Sequence, residues 1–154
     1  MKTLRLTCIM VLILCVAAAG YAAEKRNAQI MSINGTAEMR QSGQSVWSPA
    51  SVGMVLSEGD TLKTAAQSWA LLNIDDGKIA AVEVKGGSEM VIAELKADPL
   101  TDTSQTLLDL AMGEVMIKAQ KVHGENSRFE VKTPTSIVGV RGTTFNVKVE
   151  AVKE

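Results

Sequence analysis

The chain has 154 residues, 46% of them hydrophobic and 3% aromatic, with 16 Lys and Arg against 17 Asp and Glu. That length makes one domain the default, and a net charge of −1 lacks the basic excess that nucleic acid demands of a partner. One histidine and two cysteines are too few for a Cys/His metal cluster.

The first element is a leader. Lys2 and Arg5 open it, "LTCIMVLILCVAAA" follows over residues 6–19, and "AAGYAA" supplies small residues. This is the pattern of a secretory signal peptide, with cleavage after Ala22 or within three residues of it. The apolar run is short for a span of about 20 residues. Residues 1–22 are therefore expected to leave, with no stable membrane span remaining. The segment has two other uses: retention as an anchor, or a lipid attached at Cys15, which the bulky Leu14 before it argues against. Cys8 and Cys15 both fall in the leader, so the mature chain carries no thiol into its oxidising compartment. Lys2 and Arg5 leave too, so 14 basic residues face 17 acidic ones, a net charge of −3.

Beyond the leader the apolar residues recur with period two, between turn residues. "AQIMSINGTAEMR" predicts two strands and a hairpin at Asn34-Gly35, since both residues tolerate the positive φ of a type I′ turn. Trp47 follows polar "QSGQSV" and precedes Pro49; it either caps the core or faces a partner. "SWALLNIDDGKIAAVEV" predicts strands over 68–74 and 79–84 around an Asp76-Gly77 turn. The Asp pair there lacks the spaced carboxylates and distal Glu of a calcium loop. "SEMVIAEL" is a strand after the Gly86-Gly87 break, and "ADPLTDTS" a polar loop with Pro99 blocking regular pairing. In "LLDLAMGEVMIKA" the central Gly113 predicts a hairpin. "HGENS" is a turn that leaves His123 in a solvated loop. "RFEVK" and "TTFNVKVE" are the last strands. About ten short strands joined by tight turns make residues 27–150 one all-β domain.

No catalytic constellation is visible. G-x-S-x-G, S-x-x-K, G-x-G-x-x-G and P-loop patterns are absent. Trp47, Trp69, Phe129 and Phe145 scatter over apolar strands and form no stacking platform. No cofactor and no metal is expected, and the reading is a non-enzymatic module.

Arg141 interrupts the apolar run "SIVGVRGTTFNV". In "TTFNVKVE" Phe145, Val147 and Val149 alternate with polar residues and define an inward face. Counting back puts Thr143 and Arg141 on that face, unless Gly142 hosts a bulge that flips the parity. Two readings follow. Arg141 is an internal brace, paired with Asp60 first or Asp76 second, with Gly139 and Gly142 letting backbone approach; or it contacts a ligand or partner.

Several segments resemble, in order and spacing, the FecR-type domain of bacterial envelope signalling proteins. These are "GTAEM", "VWSPASVGMVLSEGDTLKTAAQSWALLNIDDGK", "LLDLAMGEVMI" and above all "FEVKTPTSIVGVRGTTFNV". The likeness covers roughly residues 30–149, and Gly139, Arg141, Gly142, Thr143 and Phe145 fall in its signature. The resemblance implies an all-β, extracytoplasmic protein-interaction module with no catalytic residues. In its best-known members the domain receives a signal from an outer-membrane transducer and relays it through a membrane helix to a sigma factor. Here a leader comes first, so the expectation is a free-standing periplasmic or secreted domain of a Gram-negative-type envelope, with an envelope protein as partner. A binding protein for a cell-envelope polymer or small ligand, using Trp47, is the alternative.

Overall fold

The computed structural model describes residues 26–98, 100–121 and 126–150. The segment expected to be a leader, with Cys8 and Cys15, lies outside them, as do Pro99 and His123. The described chain is all-β, in twelve strands: β1 (Ala28–Asn34), β2 (Ala37–Arg40), β3 (Ser48–Pro49), β4 (Val55–Leu56), β5 (Thr61–Thr64), β6 (Trp69–Ile74), β7 (Ala80–Val84), β8 (Glu89–Asp98), β9 (Thr103–Ala119), β10 (Arg128–Lys132), β11 (Ile137–Val140) and β12 (Thr144–Val149).

β9 organises the rest. It is 17 residues long and belongs to both halves of a folded-over sheet. Its first part lies between β8 and β10, in the order β3-β2-β5-β8-β9-β10-β11. Its second part lies between β7 and β12, in the order β4-β1-β6-β7-β9-β12. Every pairing is antiparallel except β9–β10. β7 and β8 run in sequence along one flank of β9, so the three form a long hairpin bent at its middle. A glycine and a bulge make the bend. On β9, Gly113 has φ +91°, and Ser88 packs where a Cβ would project. The Ser88 hydroxyl accepts from the Glu114 N–H at 2.9 Å and donates to the Glu114 carbonyl at 3.1 Å, replacing the ladder at the corner. An extra residue on β9, Ala111, falls between the partners of Glu89 and Met90; this bulge adds curvature beside the corner.

The core lies between the halves. Period-two alternation sends Ile30, Leu72, Ile74, Val82 and Ile117 inward from one half, and Leu62, Ile92, Leu108, Phe129 and Val131 from the other. Each large aliphatic side chain withdrawn in this way contributes roughly 1.5–3 kcal/mol.

Three local expectations are corrected. Asn34-Gly35 does not close a hairpin: β1 pairs with β4 and β6, and β2 with β3 and β5. The dipeptide is a corner between the halves, held where the Thr36 N–H donates to the Ser68 hydroxyl at 3.0 Å. "LLDLAMGEVMIKA" is not a hairpin but the continuous β9, because the glycine at 113 bends the strand instead of reversing it. The loop expected over 97–104 is shorter than that, with β8 running to Asp98 and β9 starting at Thr103. By contrast, the Asp-Asp-Gly turn between β6 and β7 lies where expected, with positive φ at Asp75, Asp76 and Gly77.

The turn has a second use. The Arg26 side chain is only 6% exposed, and its guanidinium Nε meets Asp75 Oδ2 at 2.6 Å. Its other nitrogens donate to the carbonyls of Lys96 and Gln105 and to the Thr106 hydroxyl, each at 2.9 Å. Asp75 belongs to one half of the sheet and the other three acceptors to the other half, so one planar fork ties the halves together.

Candidate functional site: an open strand edge and its cleft

The residues singled out by sequence do not converge on one site. Asp60 is buried, but its carboxylate accepts from the backbone N–H of Ser42 (2.9 Å) and of Ser57 (2.8 Å). It braces its own loop and meets no arginine. Arg141 is exposed, and among the described residues it makes no ion pair and no side-chain hydrogen bond. The expected Arg141 brace to Asp60 or Asp76 is therefore corrected. Gly142 has φ +67° and turns the chain between β11 and β12, which breaks the parity on which the inward count relied. Past that turn the count holds: Phe145 and Val149 are partly buried and Val147 is buried, while Thr144, Asn146 and Lys148 are exposed. Thr143 is exposed beside Arg141. An arginine clamp does exist, at Arg26. Its sequence signal was weak: a lone basic residue ahead of β1, and one more acid in Asp75-Asp76 than a turn needs.

Trp47 is partly buried and carries cations over its ring. The Arg40 guanidinium lies 4.7 Å from the ring centroid and the Lys63 ammonium 5.6 Å. Such contacts contribute about 0.5–1 kcal/mol at an exposed site. They also use π-surface on which a sugar or base would stack. Among the described residues no group of three His, Cys, Asp or Glu side chains is placed to hold a metal.

What the fold leaves open is an edge. Among the described residues the folded-over sheet ends in four terminal strands, β3, β4, β11 and β12. β3 and β4 have two residues each, and β3 contains Pro49. β12 alternates its apolar residues with Asn146 and Lys148. Shortness, proline and lysine are the usual guards against unwanted strand pairing. β11 has none of them. It reads Ile-Val-Gly-Val, with Ile137 62% and Val138 37% exposed.

Next to this edge lies a cleft of about 580 Å³. β10 leaves β9 at Asp109 and β12 joins it at Gly113, on the same flank, so among the described residues the β9 segment between them has no strand neighbour there. Ala111 and Met112 form the floor, Pro134 and Val138 one wall, Val147 and Val149 the other. At the rim Lys148 Nζ lies 2.8 Å from Glu150 Oε1. The hydrogen bond, and then the opposite charge, raise the Lys148 ammonium above its ordinary pKa and lower the Glu150 carboxyl below its own, so both stay charged at neutral pH. The floor and walls are mainly apolar and the rim polar, an arrangement suited to binding rather than bond-making.

Among curated proteins and among solved structures nothing matches the chain. Among the described residues no helix is long and apolar enough to cross a membrane. The family profile described as FecR protein matches residues 60–153, from the buried Asp60 through β5 to β12, and so takes in β9, the cleft and the β11 edge. That match covers more than half of the 154 residues, and the chain belongs to the FecR protein family.

Proposed function

We propose that this protein is a non-enzymatic interaction module of the cell envelope, which senses or relays a signal by pairing with another protein at the β11 edge. The observation that carries this reading is the contrast among the four terminal strands of the described sheet: three are guarded by length, proline or charge, and the fourth, β11, presents unguarded apolar strand. FecR family membership supports a signalling role. The leader over residues 1–22 supports export to the periplasm or beyond, and the Arg26 clamp stays in the mature chain for any cleavage within three residues of Ala22. The alternative, a polymer- or ligand-binding protein built on Trp47, has less support because Arg40 and Lys63 already stack on that ring.

Photo-crosslinking in intact cells tests the reading. A photoreactive residue placed at Ile137 gives one discrete protein adduct, and the same residue at the exposed Gln44, near Trp47, gives none. No adduct at Ile137, or equal capture at both positions, overturns the proposal.

A further inference from the structure

We propose that the β11 edge and its cleft take an extended peptide of a partner protein, antiparallel to β11, with apolar residues at alternate positions and acidic residues at its N-terminal end. This rests on the interaction reading above and adds the chemistry of the partner.

Backbone geometry gives the first argument. The Thr133 N–H donates to the Ser136 carbonyl at 2.8 Å, which fixes the phase of the β10–β11 ladder. Two residues further on, Val131↔Val138 and then Phe129↔Val140 are the mutually bonded pairs. The N–H and C=O groups of Ile137 and Gly139 therefore point away from β10, toward the free edge. An added strand finds these donors and acceptors in place. On its cleft side, alternate side chains meet Val138, Met112 and Val149.

Gly139 gives the second. Each of the other described glycines is explained by positive φ or by a neighbour that a Cβ would strike. Gly139 has neither: its φ is ordinary and a Cβ there meets nothing within 4 Å. Glycine inside a strand weakens it, and it commonly marks a place where another backbone or ligand comes close. None of the described residues comes close at Gly139, so the space there suits an added strand.

Charge gives the third and selects the occupant. Arg141 follows β11 directly, and continuing the β10–β11 register by one step sets it opposite Arg128. Both are exposed, and among the described residues neither makes an ion pair. Lys121 packs beside Gly142 and adds a third exposed cation at the same end. The nearest carboxylate on β10 is Glu130, opposite Gly139, and it reaches neither arginine. At the other end Lys132 is neutralised by Asp109 at 2.9 Å. The C-terminal end of β11 is thus basic, and an antiparallel guest brings its N-terminal end there. A second copy of this chain is a poor fit. Antiparallel pairing of two β11 strands that matches the outward groups of Ile137 to those of Gly139 sets Thr135 against Arg141, and parallel pairing brings the two Arg141 ends together.

The test uses the mature chain and synthetic peptides, Glu-Glu-Val-Thr-Val-Thr-Val-Ser-Asn and its Lys-Lys counterpart, followed by amide shifts at Ile137 and Gly139. The Glu-Glu peptide is expected to bind about tenfold more tightly than the Lys-Lys peptide at low salt, a gap that closes as salt rises. Arg141→Glu narrows the gap and the double variant Arg141→Glu/Arg128→Glu inverts the order, while Gly139→Pro, which deletes an outward N–H, abolishes binding of both. Equal binding of the two peptides, no binding, or no inversion in the double variant overturns the proposal. So does a dimer that Gly139→Pro dissolves, since a second copy is then the occupant. Failure here with the Ile137 adduct intact leaves the interaction reading standing; loss of the adduct as well removes both.

Discussion

Replacing Arg26 with Met keeps much of the side chain's apolar stem and removes the fork that joins the two halves of the sheet. Four hydrogen bonds disappear: one to Asp75, two to the carbonyls of Lys96 and Gln105, one to the Thr106 hydroxyl. Breaking a buried ion pair from one side costs about 3–5 kcal/mol, chiefly because the remaining charge is stranded. Asp75 is not wholly stranded: its side chain is 21% exposed and its Oδ1 still accepts from the Asn27 N–H at 3.2 Å. The lower end of that range applies, about 3 kcal/mol. At roughly 3–5 °C per kcal/mol for a domain of this size, the unfolding midpoint falls by about 10–15 °C. Urea unfolding at constant m reads the loss directly. The pairing itself is isolated by adding Asp75→Asn, where the double variant recovers roughly 1–2 kcal/mol of the summed single losses. A shift under about 0.5 kcal/mol for Arg26→Met, or strict additivity in the cycle, refutes the clamp.

Further predictions follow from the same geometry. Arg141→Ala leaves the denaturation midpoint within about 0.5 kcal/mol, as for a surface substitution; a loss above about 2 kcal/mol restores the internal brace. Asp60→Ala lowers stability by about 2 kcal/mol, since two backbone N–H groups lose their acceptor in a buried loop, and equilibrium unfolding checks it. The Asp98 carboxyl, held below its ordinary pKa by the Thr101 hydroxyl and then the Leu100 N–H, titrates low in a carboxyl-detected NMR series. Its folded-state pKa is depressed, so the order it lends the β8–β9 tip is present above the unfolded pKa and fades as pH falls through the folded one. A normal Asp98 titration contradicts that.

Local periodicity made the strands legible, and long-range pairing was what it hid. The alternation in "TTFNVKVE" turns Phe145, Val147 and Val149 inward as expected, because that pattern depends only on which face is dry. The same patterning does not say which strand lies alongside. Asn34-Gly35 has hairpin chemistry yet joins two halves, and Gly113 has turn chemistry yet bends one strand, because both outcomes need the same positive φ. Arg141 was misplaced by a related step: parity was carried through Gly142, where the chain turns. The buried arginine depended on groups far apart in sequence, with Asp75 lying 49 residues and Gln105 79 residues from Arg26. The open edge was equally hidden, since Ile137–Val140 reads as any buried strand until its neighbours are counted.

Amide hydrogen exchange on the isolated mature chain tests the central claim, that β11 is a free edge poised for pairing. Val138 and Val140, bonded to β10, are predicted to exchange slowly, and Ile137 and Gly139 at nearly open-chain rates until a partner strand slows them. Equal protection at all four amides in the isolated chain contradicts the account, because the edge is then already taken.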